Sequence, residues 1–309
     1  MHLEFLTVRK HFRDYIGASC GIFEMKKAFD WSVWYAAKRW REIHSAGAVN
    51  LRKPFVKALY LSLLAKGIID EDGKVVKEVK KPELPKGLYP REWVEMHQQF
   101  DELGSVKVAR DEVDRNSLDL LFSDIQAMGW RRVMVSGFLK GCGESDGHAV
   151  LEPFSREGHL AQLYLEGYKP AAYLGYDPNP SLVEVARQVV PNATFTAVSS
   201  ACQLSGQFDV VLLVEKLQWM ADPLRELECI SKLLKPGGKL YVAQPTADST
   251  PGYLAILTAT GAQHVYTWTE VEQLIGIRFA LEKRLVKTIP FYGAIFAKPH
   301  PRLARETLR

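Results

Sequence analysis

Apolar runs and turn residues alternate along the second half of the chain in a way that predicts alternating strands and helices. Residues 208–214, FDVVLLV, are almost continuously apolar and rich in valine, which is typical of a parallel strand covered on both faces. Pro223 stands where a first helical turn tolerates proline, and leucine and isoleucine follow it at helical spacing. Gly237 and Gly238 predict the turn that ends this helix, before a strand at residues 239–243.

A similar order of strand, loop, helix and strand is expected upstream, within residues 148–188. The first of these strands is expected to end at Leu151, a helix to open at Gly158, and the next strand to end at Asp177. Ligands of open α/β sheets bind beyond the carboxyl ends of the strands. Asp177 and the segment that starts at Glu215 are therefore expected to face the functional region.

The flanks of these segments add three elements to the prediction. A helix is expected over residues 117–128, before the first strand. Thr267 to Glu270 has the spacing of a capping box, so another helix should begin there. Residues 279–286 and 291–297 then read as the last two strands, before a polar tail.

The first third of the chain is aromatic and helical in pattern. Residues 23–43 and 51–66 predict two helices, and Asp72-Gly73 predicts the turn of a hairpin. The tryptophans of the first helix recur at helical spacing, which favours a packing face over a base-stacking platform. Acidic residues interleave the lysines of the basic stretch 74–91, which indicates a solvated surface. Residues 82–90, within this stretch, are proline-rich and linker-like.

Several of these motifs resemble a known family. Asp209, the segment from Glu215 through Gln218, Asp222-Pro223 and the LLKPGG turn before a strand are similar to the second half of a class I S-adenosylmethionine-dependent methyltransferase. The QWMADP piece is most similar to small-molecule carboxyl methyltransferases of the malonyl-carrier and trans-aconitate type. The resemblance covers residues 117–298.

The resemblance implies S-adenosylmethionine as the cofactor and a seven-stranded Rossmann-like sheet that an antiparallel hairpin closes. It places Glu152 against the methionine part of the cofactor and Asp177 against the ribose. One carboxylate can accept hydrogen bonds from both ribose hydroxyls. Candidate catalytic residues near the mouth of the site are Glu215, Gln218 and His148, with His159 as a further possible base. The expected cofactor-binding residues are Glu152, Phe154, Ser155, Gly158, Tyr176, Asp177, Pro178, Ser199, Ser200 and Glu215.

Two motifs depart from the pattern of the family. Of the alternating glycines usual in the first loop, this chain keeps only Gly158, which disfavours close approach of the backbone to the cofactor. Ser199 and Ser200 follow the third strand, where an aspartate is usual. A rival cofactor loop lies at residues 137–147, although it is too far upstream of Asp177 for one turn, one helix and one strand.

Three functions are compatible with these residues. The first is methyl transfer to a small-molecule acceptor, the second is a lapsed methyltransferase with a scaffold role, and the third is nucleic-acid methylation. The third would require a basic face that joins residues 74–91 to the Glu215 segment. A dehydrogenase is disfavoured because no G-x-G-x-x-G turn precedes Asp177.

Composition narrows the class of protein without choosing among these functions. The chain has 309 residues, 47% of them hydrophobic, which suffices for one large or two ordinary domains. A net charge of +4 is weak support for a nucleic-acid partner, and neither a membrane span nor a signal peptide is predicted, so a cytoplasmic location is expected. The four cysteines lack metal-ligand spacing and are expected to be reduced thiols.

The predicted fold class is α/β, with a mainly helical N-terminal domain at residues 1–112. A methyltransferase-like domain follows at 113–298, and a flexible tail at 299–309. The order of helix, helix and hairpin resembles the winged-helix modules that many methyltransferases use for dimerisation or as a substrate lid. A homodimer through this domain is accordingly one expectation.

Overall fold

The computed structural model describes residues 21–143, 145–287 and 291–299. Its helices, numbered in chain order, are α1 (Ile22–Ser45), α2 (Pro54–Ala65), α3 (Leu88–Leu103), α4 (Ser105–Ala109), α5 (Arg115–Ala127), α6 (Gly129–Cys142), α7 (His159–Gly167), α8 (Pro180–Val189), α9 (Pro223–Leu233), α10 (Pro251–Ala259) and α11 (Trp268–Gly276). Its strands are β1 (Ala149–Pro153), β2 (Ala172–Asp177), β3 (Thr194–Ala197), β4 (Phe208–Val214), β5 (Leu234–Gln244), β6 (Ala280–Val286) and β7 (Tyr292–Ala297).

The chain divides into two compact units. The first contains the described residues up to Gly137, together with Pro245–Trp268 and the short segment that ends at Tyr292. The second contains Phe138–Gln244, Thr269–Lys287 and the described residues from Gly293 onward. The first unit therefore extends beyond the expected boundary at residue 112, and it includes a segment that lies between two strands of the sheet in the sequence.

The helices of the first unit agree with the sequence pattern. The predicted helix at residues 23–43 lies within α1, and α2 occupies residues 54–65 of the predicted 51–66. The α1 side chains Trp31, Tyr35 and Trp40 are buried, as a packing face requires. The predicted hairpin is reduced to one bridge, between Ile69 and Val75. The likeness to a winged helix is correspondingly limited.

The segment 245–268 belongs to the first unit because its helix α10 packs against α1. The Ser32 hydroxyl on α1 accepts hydrogen bonds from the backbone N–H groups of Gly252 and Tyr253. A β-carbon at Gly252 would lie 2.6 Å from the Ser32 carbonyl oxygen, so only glycine permits this approach. The ring of Tyr253 packs against Trp93 and Trp130.

The second unit carries a seven-stranded sheet in the order β3-β2-β1-β4-β5-β7-β6. Strands β1 to β5 pair in parallel, and β6 pairs with β7 in antiparallel orientation, which confirms the predicted closing hairpin. The strand order reverses between β1 and β4, and ligands of open α/β sheets bind at such a switch point. The seven-stranded, Rossmann-like sheet predicted from the sequence is thus present.

Some local predictions were wrong. Residues 137–142 belong to α6 and not to a loop or extra strand, and no strand among the described residues leads into the glycines of 137–147, so the rival segment is not a strand-to-helix cofactor loop. Glu152 lies inside β1, which continues to Pro153 rather than ending at Leu151. Strand β5 already begins at Leu234 and includes the glycine pair, with an irregular register against β4. Two further expectations concern membrane spans and the tail. Within the described ranges, no helix combines the length and hydrophobicity needed to cross a membrane. The predicted tail at residues 299–309 lies almost wholly outside the described residues.

Candidate functional site

The loop between β1 and α7 has an alternating left-handed backbone. Its φ angles are 52° at Phe154, 50° at Arg156 and 84° at Gly158. Glycine is the residue that usually takes this conformation, and a side chain in it costs roughly 1–2 kcal/mol. The loop therefore has the shape that alternating glycines would give, although two of the three positions carry side chains.

Backbone hydrogen bonds to the end of β2 hold this loop in place. The N–H of Ser155 donates to the Tyr176 carbonyl (2.8 Å), and the N–H of Arg156 donates to Asp177 Oδ2 (3.0 Å). The other carboxylate oxygen of Asp177 accepts from the N–H of Asn179 (2.9 Å). Because a carboxylate has about four acceptor positions, the buried Asp177 can still accept two hydroxyl donors.

Glu152 in β1 is completely buried and already has two partners. Its Oε2 accepts from the Tyr173 hydroxyl (2.7 Å), and its Oε1 lies 3.0 Å from the Lys216 ammonium. The same ammonium donates to the Phe154 carbonyl in the loop (2.7 Å). The sequence prediction missed Lys216, whose signal was a lysine two positions after the apolar run of β4.

A third buried carboxylate binds the segment that follows β3. Glu226 on α9 accepts hydrogen bonds from the Ser200 hydroxyl (2.6 Å), from the N–H of Ala201 (2.7 Å) and from the Tyr176 hydroxyl. Ser199 is exposed and bonds to Gln203 instead. Glu226 was also missed, because in the sequence it is an ordinary glutamate in the first turn of a helix.

A disulfide joins the same two segments. Cys202 and Cys229 are bonded, with their Cα atoms 5.0 Å apart, so the prediction of reduced thiols was wrong for this pair. Cys142 is a free cysteine, and Cys20 lies outside the described residues. The segment after β3 is therefore fixed to α9 both covalently and through Glu226.

Glu215 and Gln218 lie at the carboxyl end of β4, as predicted. Glu215 has a φ of 57°, another left-handed non-glycine position. Gln218 is buried in the 3-10 turn Leu217–Trp219, and its carbonyl oxygen accepts from the Gln244 amide at the end of β5. The Gln218 Nε2 has no hydrogen-bond partner among the described residues. It is thus a buried donor available to a ligand.

His148 lies at the opposite edge of the sheet, so its prediction as a catalytic residue was wrong. It precedes β1, and four residues of extended chain separate it from Glu152 by about 13 Å. Its carbonyl oxygen accepts from the N–H of Ala171, just before β2 begins. Since β1 and β2 are parallel, this hydrogen bond lies at the amino ends of both strands, away from Asp177 and Glu215.

Comparison with known families identifies this arrangement. Residues 138–286 match the family described as "Methyltransferase domain", and they contain the loop after β1, Asp177 and the end of β4. This domain belongs to the class I S-adenosylmethionine-dependent methyltransferases. The resemblance inferred from the sequence is thereby confirmed.

Curated relatives match shorter segments of this methyltransferase domain. The ubiquinone biosynthesis O-methyltransferase of Caulobacter vibrioides is 42% identical over 73 residues, which are 24% of this chain and 28% of that protein. The enzyme of the same name from Xanthomonas oryzae pv. oryzae is 34% identical over 96 residues, 29% of this chain and 39% of that protein. The chain thus spans roughly a third of the length of these relatives.

Two solved structures share the fold over most of the chain. The CMeT domain of the citrinin polyketide synthase has a TM-score of 0.63 at 15% identity, covering 96% of this chain and 97% of its own. An O-methyltransferase family 2 protein from Planctomyces limnophilus, in complex with apigenin, has a TM-score of 0.54 at 12% identity, covering 89% and 94%. At these identities the likeness is one of fold.

S-adenosylmethionine is the cofactor of this methyltransferase family. The residues fit its ribose, because Asp177 has acceptor positions to spare and the Ser155 hydroxyl is buried without a hydrogen-bond partner among the described residues. On either side of the ribose position, at Glu152 and in the segment after β3, polar groups already have hydrogen-bond partners within the chain. Lys216 pairs with Glu152, and Glu226 accepts the N–H of Ala201.

Proposed function

We propose that this methyltransferase transfers the methyl group of S-adenosylmethionine to a small-molecule acceptor. The observation that carries the proposal is the left-handed loop from Phe154 to Gly158, bonded to an Asp177 carboxylate that retains free acceptor positions. Asp177 would hold the ribose hydroxyls, and the loop backbone would line the cofactor. The curated relatives are named as O-methyltransferases, which favours an acceptor hydroxyl.

The side chains after β4 would act on the acceptor. When bound, the cofactor supplies an electrophilic methyl group on a sulfonium, so the protein must chiefly position the acceptor and exclude water. The free Nε2 of Gln218 would donate a hydrogen bond to an acceptor oxygen. Glu215 would take the proton of an acceptor hydroxyl if that proton is lost early.

A scaffold role is the second candidate, and one observation favours it. The buried Glu152 and the N–H of Ala201 are both bonded by side chains of the chain itself. If these bonds exclude the cofactor, the domain keeps the fold without the reaction.

Calorimetric titration with S-adenosylmethionine and S-adenosylhomocysteine separates the two candidates. We expect micromolar binding to the native chain and at least a ten-fold loss in Asp177→Ala, which removes about 1.4 kcal/mol or more of binding free energy. Asp146→Ala is the matched control, because Asp146 also accepts a backbone N–H, that of Lys169, but before β2. No binding to the folded native chain, or equal loss in both variants, would favour the scaffold.

A further inference from the structure

The ion pair between Glu152 and Lys216 lies where the methyltransferase loop begins. Glu152 is completely buried and Lys216 is 7% exposed. A buried carboxylate is strongly destabilising unless it is paired and hydrogen-bonded. Here the Lys216 ammonium provides that charge, and its position after β4 brings it to the carboxyl end of β1.

The hydrogen bonds of this ammonium form a specific pattern. It donates to one carboxylate oxygen, Glu152 Oε1 at 3.0 Å, and to one loop carbonyl, that of Phe154 at 2.7 Å. A primary ammonium has three donors, so one remains. A ligand ammonium lying against the loop would seek these same two acceptors, because a charged donor bonds best to a carboxylate.

Charge balance makes simultaneous occupancy unfavourable. Glu152 and Lys216 together are neutral, and a second ammonium near Glu152 would lie close to the Lys216 charge in a buried setting. The remaining Lys216 donor would instead attract an anionic group, such as the carboxylate of an amino-acid ligand.

We propose that the Lys216 ammonium takes the position of the α-ammonium of the cofactor, so that the site binds adenosyl ligands without using their amino group. Lys216 is then a specificity-determining residue of the methionine subsite. This inference rests on the proposed function, since it requires that an adenosyl ligand binds beside Glu152.

The test compares two ligands on the native chain. One is S-adenosylhomocysteine, and the other is its deamino analogue, in which hydrogen replaces the α-amino group. We expect the native chain to bind both within about three-fold, because the lost amino group makes no charged hydrogen bond there. If S-adenosylhomocysteine binds at least ten-fold more tightly than the analogue, the inference is overturned while the proposed function stands.

Lys216→Gln should restore the requirement for the amino group. Its neutral amide leaves the Glu152 charge to the ligand, so we expect this variant to prefer S-adenosylhomocysteine by roughly ten-fold. Lys232→Gln is the control, because Lys232 is an exposed lysine of the same unit paired with Glu228, and it should behave like the native chain.

Two further outcomes of these titrations also test the inference. Binding of S-adenosylhomocysteine by Lys216→Gln but not by the native chain would overturn the inference, since the lysine would then block the site instead of replacing the amino group of the ligand. Failure of every adenosyl ligand with both proteins would overturn the inference together with the proposed function. The comparison on the native chain decides even if the variant does not fold.

Discussion

The backbone N–H of Ala201 donates a 2.7 Å hydrogen bond to the carboxylate of Glu226. The two residues are 25 positions apart, one after β3 and the other on α9. The same carboxylate accepts the hydroxyls of Ser200 and Tyr176. One buried glutamate thus fixes the segment that, in this methyltransferase, follows the third strand in place of the usual aspartate.

Removal of this carboxylate should destabilise the second unit. We expect Glu226→Ala to lower the free energy of unfolding by about 3 kcal/mol, because three donors lose their acceptor in a buried site. Urea unfolding measures the change. Glu228→Gln is the control on the same helix, since Glu228 pairs with Lys232 at the surface and its replacement should have little effect on stability. Equal costs for the two variants would contradict the assignment of Glu226 as the anchor.

Reduction of the Cys202–Cys229 disulfide should weaken the same attachment. The bond closes a loop with a sequence separation of 27, for which the entropy of the unfolded chain predicts a loss of about 3.5 kcal/mol on reduction. We expect the urea midpoint of the native chain to fall in dithiothreitol, and that of Cys202→Ser/Cys229→Ser to be unaffected. A disulfide-linked peptide pair in a non-reducing digest should contain these two cysteines. An unchanged midpoint for the native chain would count against the bond.

The sheet could be predicted from the sequence because each strand carries its own signal. The apolar run of β4 and the strand ends at Asp177 and after 291–297 follow from local pattern alone. The early start of β5 at Leu234 did not follow, because proline and glycine there normally indicate a turn, whereas the irregular register to β4 accommodates them. Likewise, the apolar helix α10 packs on α1 and α2, a choice of partner that periodicity does not encode.

The bonded partners within the candidate site could not be predicted for a related reason. Lys216 and Glu152 are 64 positions apart, and only the parallel pairing of β1 with β4 brings them together. Residues with side chains disfavour the left-handed backbone that Phe154 and Arg156 adopt. The absence of glycines therefore suggested that the cofactor loop had lost its usual shape. The hydrogen bond from Arg156 to Asp177 maintains that conformation, and it is visible only in the folded chain.

Glycine should be better than alanine at position 156. Because the φ of Arg156 is 50°, Arg156→Gly is expected to be about 1 kcal/mol more stable than Arg156→Ala. Lys232 lies in the last turn of α9, where the order should reverse, with Ala better than Gly. Urea unfolding of the four variants measures both differences. If alanine were preferred at both positions, the loop would not have the left-handed conformation in solution.

Alkaline pH should destabilise the methyltransferase sheet through two tyrosines. Burial, and then the negative charges of Glu152 and Glu226, raise the pKa of Tyr173 and of Tyr176 well above the ordinary value of 10.0. A pKa raised by folding contributes stability that is fully present below the unfolded pKa and is lost as the pH rises toward the folded pKa. The free energy of unfolding should therefore fall above about pH 10, by about 1.4 kcal/mol per pH unit for each tyrosine.

Unfolding in urea at a series of pH values from 9 to 12 measures this slope. Tyr173→Phe removes one titrating group, so its stability should be lower at neutral pH, where the hydrogen bond to Glu152 is lost, but should fall less steeply above about pH 10. Tyr176→Phe should behave in the same way with respect to Glu226, and the double variant should show the smallest slope. Since a phenol can lose its proton only where solvent can stabilise the phenolate, a slope that neither substitution changes would mean that both hydroxyls are accessible to water in the folded protein.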